Sequence, residues 1–258
     1  MARQERAVRT RHALIRSAAE IFDRRGYDQA KLADISAGAD VSPGALHFHF
    51  ESKAAMARAV EVEAISTLRS AAHIVYRERA FALQALTDMS HVFAHLLRWD
   101  VVVRAGFHLN NDSTHSGDRL MGIEWRGCVE RLLGDADEAK ELASGVELRA
   151  AICTVVGITT GLGLLVTGGG EPRARLALTG FWHALLSGLA APDVLTRLKP
   201  AGTGSVVAKA MTVSDGLPKE ALTPYTLLVG GASDRRGCSV PMASSMATGA
   251  SPVTADGQ

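Results

Sequence analysis

Apolar side chains recur every three or four residues over most of residues 10–199, which is the spacing of one face of a helix. A clear case is the segment 81–99, where Ala82, Leu86, Met89, Phe93 and Leu96 share one face. Alternation of apolar and polar residues, the pattern of a half-buried strand, is scarce. The sequence therefore predicts an all-α protein with one buried face on this helix.

The same pattern places the other helices. Thr10 is expected to cap a first helix that Gly26 ends, and residues 1–9 to form a mobile arm. Further helices are predicted over residues 31–39, from Pro43, and from Ser52 to about residue 72. The polar run 110–117 predicts a loop, and helices are predicted again over 120–133, 147–167 and 173–189.

The composition changes after Pro200, where Gly, Ser, Thr, Ala and Pro dominate and no periodic apolar face remains. Such a segment buries too little apolar surface to offset the entropy cost of ordering it. We therefore expect residues 200–258 to be a disordered tail, with 225–229 as the one place for a short element.

The segments 31–39 and 42–50 are joined by Asp40 and Val41 alone. Ser42 is a favourable N-cap, and Pro43 suits the first helical position because its missing N–H needs no partner there. Two helices joined by so tight a turn form a helix-turn-helix, whose second helix fits the DNA major groove. A helical hairpin inside any all-α protein is the alternative interpretation.

The distribution of charge favours DNA. The net charge is +1, which by itself indicates no particular partner. Five arginines nevertheless crowd the first sixteen residues against one glutamate, Glu5; they are Arg3, Arg6, Arg9, Arg11 and Arg16. A basic segment beside a helix-turn-helix is typical of phosphate binding.

Residues 10–53 resemble the N-terminal domain of the TetR family of repressors. The matching residues are Ile15, Ala18, Ala19, Phe22, Gly26, Tyr27, Asp34, Ile35, Val41, Ser42, Gly44, Ala45, Leu46, Phe48, His49, Phe50, Ser52 and Lys53. The resemblance implies a DNA-binding head over residues 1–52 and a ligand-binding and dimerisation domain over 53–199. It implies a regulator without enzymatic activity and without a cofactor.

The opening MARQERA and the segments 83–109 and 181–198 look like the γ-butyrolactone receptor group of this family. That resemblance implies a homodimer, a palindromic operator in double-stranded DNA and a ligand cavity in the second domain. It further implies repression of antibiotic-production genes that ends when a diffusible γ-butyrolactone, butenolide or furan signal binds.

The resemblance assigns DNA contacts to residues of the arm, the second motif helix and the start of the fourth helix: Arg3, Arg6, Arg9, Thr10, Ser42, Pro43, Gly44, Ala45, His47, His49 and Lys53. The sequence departs from the family at four of these or neighbouring positions. Pro43 replaces a frequent cation and His47 a tyrosine, which should weaken binding and flatten its salt dependence by about one unit of slope. Lys31 replaces a capping threonine, and Asp40 the glycine of the turn.

Trp125 matches a tryptophan that lines the ligand pocket in this group, and Thr160 matches a pocket threonine. An indole supplies a flat apolar wall and one N–H donor, which suits a small ring with an alkyl tail. Met89 and Phe93 could line the same cavity, although core packing explains these two equally well. The alternative for Trp125 is a core tryptophan, and the alternative for Thr160 is a hydrogen bond to its own backbone. Ala64 stands where many receptors have glutamine, so one polar ligand contact is expected to be missing.

Two further interpretations remain open. A pseudo-receptor would bind DNA but answer to an antibiotic or to no ligand. A helical metalloenzyme would use His91 and His95, which are four residues apart, with Asp88 one turn earlier. No further ligand or HExxH glutamate is evident, and we predict no metal site.

The location of the protein is predicted from what the sequence lacks. Residues 150–170 carry no charge, but threonines and glycines interrupt them, so we expect a buried helix of a soluble bundle rather than a membrane span. Gly157 and Gly161 would let another helix approach closely, as in a dimer. The three cysteines lack paired spacing, and the basic N-terminus has no apolar segment behind it. We expect a cytoplasmic protein.

Overall fold

The computed structural model describes residues 2–115, 117, 119–166 and 171–215. Its helices are α1 Ala2–Gln29, α2 Leu32–Gly38, α3 Pro43–His49, α4 Lys53–Glu78, α5 Ala82–Trp99, α6 Val101–Asn111, α7 Leu120–Glu138, α8 Leu148–Val166, α9 Glu171–Leu189, α10 Pro192–Leu195 and α11 Gly204–Met211. A 3-10 turn follows at Thr212–Asp215. The prediction of an all-α fold is confirmed.

Helix α1 begins at Ala2, well before the predicted start. The prediction of a mobile arm over residues 1–9 is therefore wrong, and so is the prediction that Thr10 caps the helix, because Thr10 lies inside it. Gly26 does interrupt the helical geometry as predicted, with φ 73° and ψ 173°. This φ lies in the region that glycine adopts without steric cost.

The head formed by α1 to α3 and the first turns of α4 has its own apolar core. Leu14, Phe22 and Ile35 are fully or almost fully buried there, and Leu46 joins them from α3. Helix α6 adds Ala105 and Leu109 to the same cluster. The head is thus packed directly against the second domain through α6.

Helices α4 and α6 lie unusually close together. A Cβ atom built on Gly106 would be 2.7 Å from the Cβ atom of Ala64, so only glycine fits at this crossing. Ala64 is fully buried. The glutamine that the family often has at position 64 could not occupy this space without separating the two helices.

The face of α5 that was predicted to be buried is buried, and the opposite side is buried as well from Ala82 to Phe93. The helices that pack around it are α4, α6, α7, α8, α9 and α11, and two loops bond its first turn. The Glu141 carboxylate accepts N–H bonds of 2.9 Å from both Ala82 and Leu83, which caps the start of α5. In the same turn Gln84 accepts a 2.7 Å bond from the N–H of Lys199.

Helix α11 lies in the segment that was predicted to be a disordered tail, so that prediction is wrong for its beginning. Ala210 is fully buried and Val207 nearly so, and both join the core of the second domain. The Asp88 carboxylate of α5 accepts a 2.6 Å bond from the N–H of Thr203, just before α11. The rest of the tail, including 225–229, lies outside the described residues.

Candidate functional site

Helix α3 presents one face to solvent and one to the head. Ser42 caps it by accepting a 3.2 Å bond from the Ala45 N–H, as predicted. Pro43 occupies the first helical position, and Leu46 turns inward with 1% of its surface exposed. Ser42, Pro43, Gly44 and His47 are exposed, and Ala45 and His49 are half-buried. All six predicted contact residues of this helix and its cap therefore lie together on or near one surface.

The turn before α3 depends on Asp40. Its φ of 53° is left-handed, a conformation that aspartate tolerates better than most residues. The N–H groups of Asp40 and Val41 bond the carbonyl oxygens of Ala37 and Ser36 at 3.1 and 3.0 Å. The aspartate in place of glycine thus preserves a tight turn between α2 and α3.

Phe48 is an exposed residue of α3 that is missing from the predicted DNA contacts. Its side chain is 81% exposed, and its ring meets that of His49 edge to face at 5.2 Å. A large apolar side chain so exposed on a groove-sized helix is suited to the methyl group of thymine. The sequence signal was the pattern Phe48-His49-Phe50, of which Phe50 alone is buried.

Lys53 has a structural role in addition to any DNA contact. Its ammonium group donates to the carbonyl oxygens of Tyr27 and Asp28 at 2.8 and 2.9 Å, and it lies 4.6 Å from the centre of the Tyr27 ring. Lys53 thereby links α4 to the end of α1. Phosphate contact by this residue remains a proposal.

The arginines before residue 10 follow the helix rather than a loose chain. Arg6 and Arg9 are exposed on α1, and Thr10 is half-buried. The side chain of Arg3 lies outside the described residues. Further along α1 the guanidinium carbon of Arg11 lies 5.3 Å from the centre of the Phe50 ring, close to the end of α3.

Trp125 on α7 is held inside the second domain by a hydrogen bond and a ring stack. Its indole N–H donates a 2.8 Å bond to the Thr159 hydroxyl, which donates a 2.6 Å bond to the carbonyl oxygen of Val155. Its ring stacks on Phe93 with centroids 4.7 Å apart and planes 22° apart. The side chain of Trp125 is 3% exposed.

The predicted ligand residues are not all in one place. Phe93 and Thr159 line a small cavity of about 10 Å³ next to Trp125. Met89 lines a different cavity of about 10 Å³, with Cys128 and Leu132. Thr159, which the prediction missed, is the partner of the indole, and Thr160 is half-buried one position further on. In this conformation neither cavity has room for a ligand.

An ion-paired cluster joins the core to the head. The Arg104 guanidinium on α6 donates to both carboxylate oxygens of Asp23 on α1, at 3.1 and 3.0 Å from Nε. The His108 Nδ1 lies 3.2 Å from the same carboxylate. Burial raises the pKa of Asp23, but the bonds and charges of His108 and Arg104 outweigh it and hold that pKa below its ordinary value. Arg104 also donates a 2.7 Å bond to the Arg98 carbonyl at the end of α5.

A second cluster crosses the same junction near Gly26. The Tyr27 N–H donates a 3.2 Å bond to the Asp112 carboxylate. The Tyr27 ring lies 4.7 Å from that of His115, whose Nε2 is 3.4 Å from the buried carboxylate of Glu61 on α4. The end of α1 is therefore tied to both α4 and the loop after α6.

The alternative of a metal site finds no support in the described part of the chain. His91 Nε2 lies 2.9 Å from the carbonyl oxygen of Pro200, and Asp88 bonds the Thr203 N–H and the side chain of Gln84. Pro200 and Thr203 thus bond two of the three candidate ligands, His91 and Asp88. No group of three His, Cys, Asp or Glu side chains with metal-binding geometry occurs among the described residues.

Helices α8 and α9 carry an exposed apolar surface. Its largest members are Leu165, Leu176 and Leu164, which are 74%, 72% and 51% exposed, and Ile158, which is 38% exposed. Among the described helices one, α8, is long and apolar enough to cross a membrane; its segment 148–165 has a mean hydropathy of 1.7 and is 28% buried. The prediction that this helix is buried is wrong for the outward face. Nothing lies within 4 Å of a Cβ built on Gly157 or Gly161.

The chain is similar to known regulators over most of its length. Residues 14–60 match the model of the bacterial regulatory proteins of the tetR family. The chain is 30% identical over 222 residues to the A-factor receptor protein of Streptomyces griseus, covering 86% of this chain and 78% of that protein.

Two solved structures have a similar fold. TylP, a TetR regulator from Streptomyces fradiae, is 30% identical with a TM-score of 0.65, covering 82% of this chain and 92% of that chain. CprB from Streptomyces coelicolor, solved in complex with its biological operator sequence, is 28% identical with a TM-score of 0.62, covering 81% of this chain and 98% of that chain.

Proposed function

Since the chain belongs to the TetR family of bacterial regulatory proteins, we propose that it is a dimeric repressor that a small diffusible signal releases from its operator. It is a DNA-binding regulator similar to the γ-butyrolactone receptors and not an enzyme. The signal is proposed to be a γ-butyrolactone, butenolide or furan, and the targets to be genes of antibiotic or other secondary metabolism. The protein is proposed to act in the cytoplasm.

The observation that carries the DNA-binding role is the exposed surface of α3, where Ser42 to Gly44, His47 and Phe48 are exposed on a helix narrow enough for the major groove. Two such helices in a dimer would read a palindromic operator, with reading centres roughly 34 Å apart or a multiple of that spacing. The operator is proposed to be double-stranded DNA with two related half-sites.

The apolar surface of α8 and α9 supports the dimer. An exposed contiguous apolar surface on a water-soluble protein marks an interaction site. Gly157 and Gly161 are exposed on the same helix as Ile158 and would allow close approach of a partner helix. We propose that two copies pack α8 and α9 against each other, which would also cover the apolar segment 148–165.

A series of packed rings and ion pairs could transmit ligand binding to the head. Trp125 stacks on Phe93, and the Phe93 ring meets that of Phe107 on α6 at 6.0 Å. On the same helix Arg104 holds Asp23 of α1. A ligand that enters beside Trp125 must separate Trp125 from its neighbours, because the cavity there is only about 10 Å³. We propose that this displaces α6, and α4 with it, and changes the spacing of the two heads.

Binding of the purified protein to DNA flanking its own gene tests the proposal, first as a function of salt and then with culture extracts. We expect salt-sensitive binding that an extract releases, with coupling of about 1–3 kcal/mol, or roughly 5- to 150-fold in affinity. Trp125→Ala should keep DNA binding and lose release. Loss of DNA binding in that variant would instead make Trp125 a purely structural residue.

A pseudo-receptor is the second candidate, and two observations favour it. The cavity lined by Phe93 and Thr159 has a volume of only about 10 Å³, and Ala64, in the position of the usual glutamine, packs against Gly106. Such a protein would bind its operator in the same assay while γ-butyrolactone extracts left it bound. The absence of any DNA binding at low salt would contradict both candidates.

A further inference from the structure

A cleft of the second domain that involves α5 lies away from Trp125. It has a volume of about 330 Å³ and is bounded by α5, the start of α9, residue 201 and α11. Ligand pockets commonly have volumes of about 300–1,000 Å³. The cleft is thus large enough for a small molecule, whereas the cavity beside Trp125 is not.

One wall of the cleft is basic. His91, His95 and Arg98 follow one another at intervals of four and three residues, so they share one face of α5, and Arg175 of α9 lines the cleft with them. Burial lowers the pKa of His91, and the positive charge of Arg175 adds to that lowering. The described residues that line the cleft include no Asp or Glu.

His91 and Asp88 bond the segment before α11 at this side of the cleft. Asp88 lies beside His91 but is turned to the Thr203 N–H and to Gln84, and His91 Nε2 is bonded to the Pro200 carbonyl. A carbonyl oxygen only accepts, so Nε2 carries the proton. His91 therefore has no second N–H for a ligand while it is neutral, and the other basic side chains of the lining are His95, Arg98 and Arg175.

The remaining walls are apolar. Leu178 of α9 is 3% exposed and Val207 of α11 is 8% exposed, and Met211 closes one end. Unbranched, polarizable methionine adapts to irregular shapes of a bound group. The cleft thus combines cationic donors at one side with an aliphatic lining at the other.

We propose that this cleft is a second ligand site, separate from Trp125, for an organic anion with an aliphatic body, namely a medium-chain carboxylic acid. The carboxylate binds Arg98 and Arg175, because guanidinium groups form paired hydrogen bonds to carboxylates. The alkyl chain lies between Leu178 and α11. The Arg98 guanidinium carbon lies 4.8 Å from the centre of the Trp99 ring in the structure, and it would keep that stacking with the ligand bound.

Calorimetric titration of the full-length protein with decanoate tests the site, with 1-decanol as the uncharged probe of the same length. We expect saturable binding of one decanoate per subunit and binding of decanol at least tenfold weaker. Arg175→Gln and Arg98→Gln should each weaken decanoate binding by roughly tenfold, since a charge-assisted bond contributes about 1.5–3 kcal/mol and 1.4 kcal/mol is a factor of ten.

Arg197→Gln is the matched control, because Arg197 is exposed and packs over the Phe81 ring outside the cleft. It should change decanoate affinity by less than about twofold, within the range of surface substitutions. Trp125→Phe should leave the affinity equally unchanged, which separates this site from the pocket of the proposed function. Arg175 is on the surface, so its variant keeps the test valid if Arg98→Gln unfolds.

Three results would overturn the proposal. They are no saturable decanoate binding, equal binding of decanoate and decanol, or loss of decanoate binding in Trp125→Phe while Arg175→Gln binds as the wild type does. Operator binding is measured on the same samples. Failure of decanoate binding with intact, extract-sensitive operator binding would refute the second site and leave the proposed repressor function standing.

Discussion

The indole N–H of Trp125 and the hydroxyl of Thr159 form a 2.8 Å hydrogen bond between α7 and α8. Thr159 is 6% exposed, so neither group reaches water. The same threonine oxygen donates to the Val155 carbonyl, which fixes the direction of its lone pairs toward the indole. The bond thus sets the orientation of the ring that we propose as the ligand wall.

Thr159→Val should destabilise the protein because it leaves the indole N–H buried without an acceptor. We expect a loss of about 1–3 kcal/mol in the free energy of unfolding. Urea denaturation followed by circular dichroism measures it. Thr160→Val is the control with the same chemical change at the adjacent half-buried position. Equal losses in the two variants would show that the hydrogen bond contributes nothing specific.

Gly106→Ala should separate α4 from α6. The new methyl group would lie 2.7 Å from the Ala64 Cβ, and overpacking of this kind costs roughly 1–3 kcal/mol. The double variant Gly106→Ala with Ala64→Gly removes the clash. Its loss of stability should therefore be smaller than the sum of the losses in the two single variants. Strictly additive losses in this double-mutant cycle would mean that the two positions do not touch.

Stability should depend on Asp23 at acid pH. The pKa of this carboxylate is lowered in the folded state, so its contribution is fully present above the ordinary aspartate pKa of about 4 and is lost as pH falls through the folded-state value. Asp23→Asn should therefore be less stable than the wild type at pH 7 by about 1–3 kcal/mol. The difference should shrink steadily below pH 4. A difference that stays constant down to pH 2 would contradict the ion pair with Arg104.

Truncation after Pro200 should destabilise the protein. It removes α11, and with it the buried Val207 and Ala210 and the Thr203 N–H that Asp88 bonds. Burying one such aliphatic side chain contributes about 1.5–3 kcal/mol, and Asp88 would lose a partner. A chain that ends after Asp215 keeps every one of these contacts and serves as the control. Equal melting temperatures for the two truncations would show that α11 adds no stability.

Leu165→Glu should produce a monomer. Leu165 is 74% exposed on α8, and a carboxylate there would be buried without a partner in the proposed dimer. Sedimentation velocity should show the shift in mass, and operator affinity should fall because the two half-sites are no longer read together. Val62→Glu places the same charge on α4, where Val62 is 50% exposed, and should remain dimeric. A Leu165→Glu dimer would place the interface elsewhere.

The helices of the head could be predicted closely because their ends carry strong local signals. Ser42 and Pro43 mark the start of α3, Ser52 marks the start of α4, and both serines cap as expected. Gly26 marked a break in α1, but nothing in the composition of residues 1–9 signals whether a basic segment is helical. The helical state of residues 1–9 depends on whether the helix that begins after them extends back into this segment.

The second domain was harder to predict because its contacts join distant segments. The polar side chains of α5 appeared solvent-facing, yet Gln84, Asp88 and His91 bond residues 199–203, more than a hundred positions away. Thr159 and Thr160 are adjacent on an apolar helix, and periodicity without a polar face cannot decide which one meets Trp125. The segment 204–211 is short and has small side chains. It is helical because it packs on the core of the second domain, and its sequence alone does not predict that contact.

The helical start of α1 limits how the protein can approach DNA. A helix with its side chains is about 10–12 Å across, while the minor groove of B-DNA is about 6 Å wide. Arg6 and Arg9 are on this helix and cannot enter that groove as residues of an extended arm can. We expect them to contact phosphates on the outside of the duplex, which carry no base identity. In the proposed complex, sequence discrimination by the head would then rest on α3, and the basic N-terminus would contribute affinity.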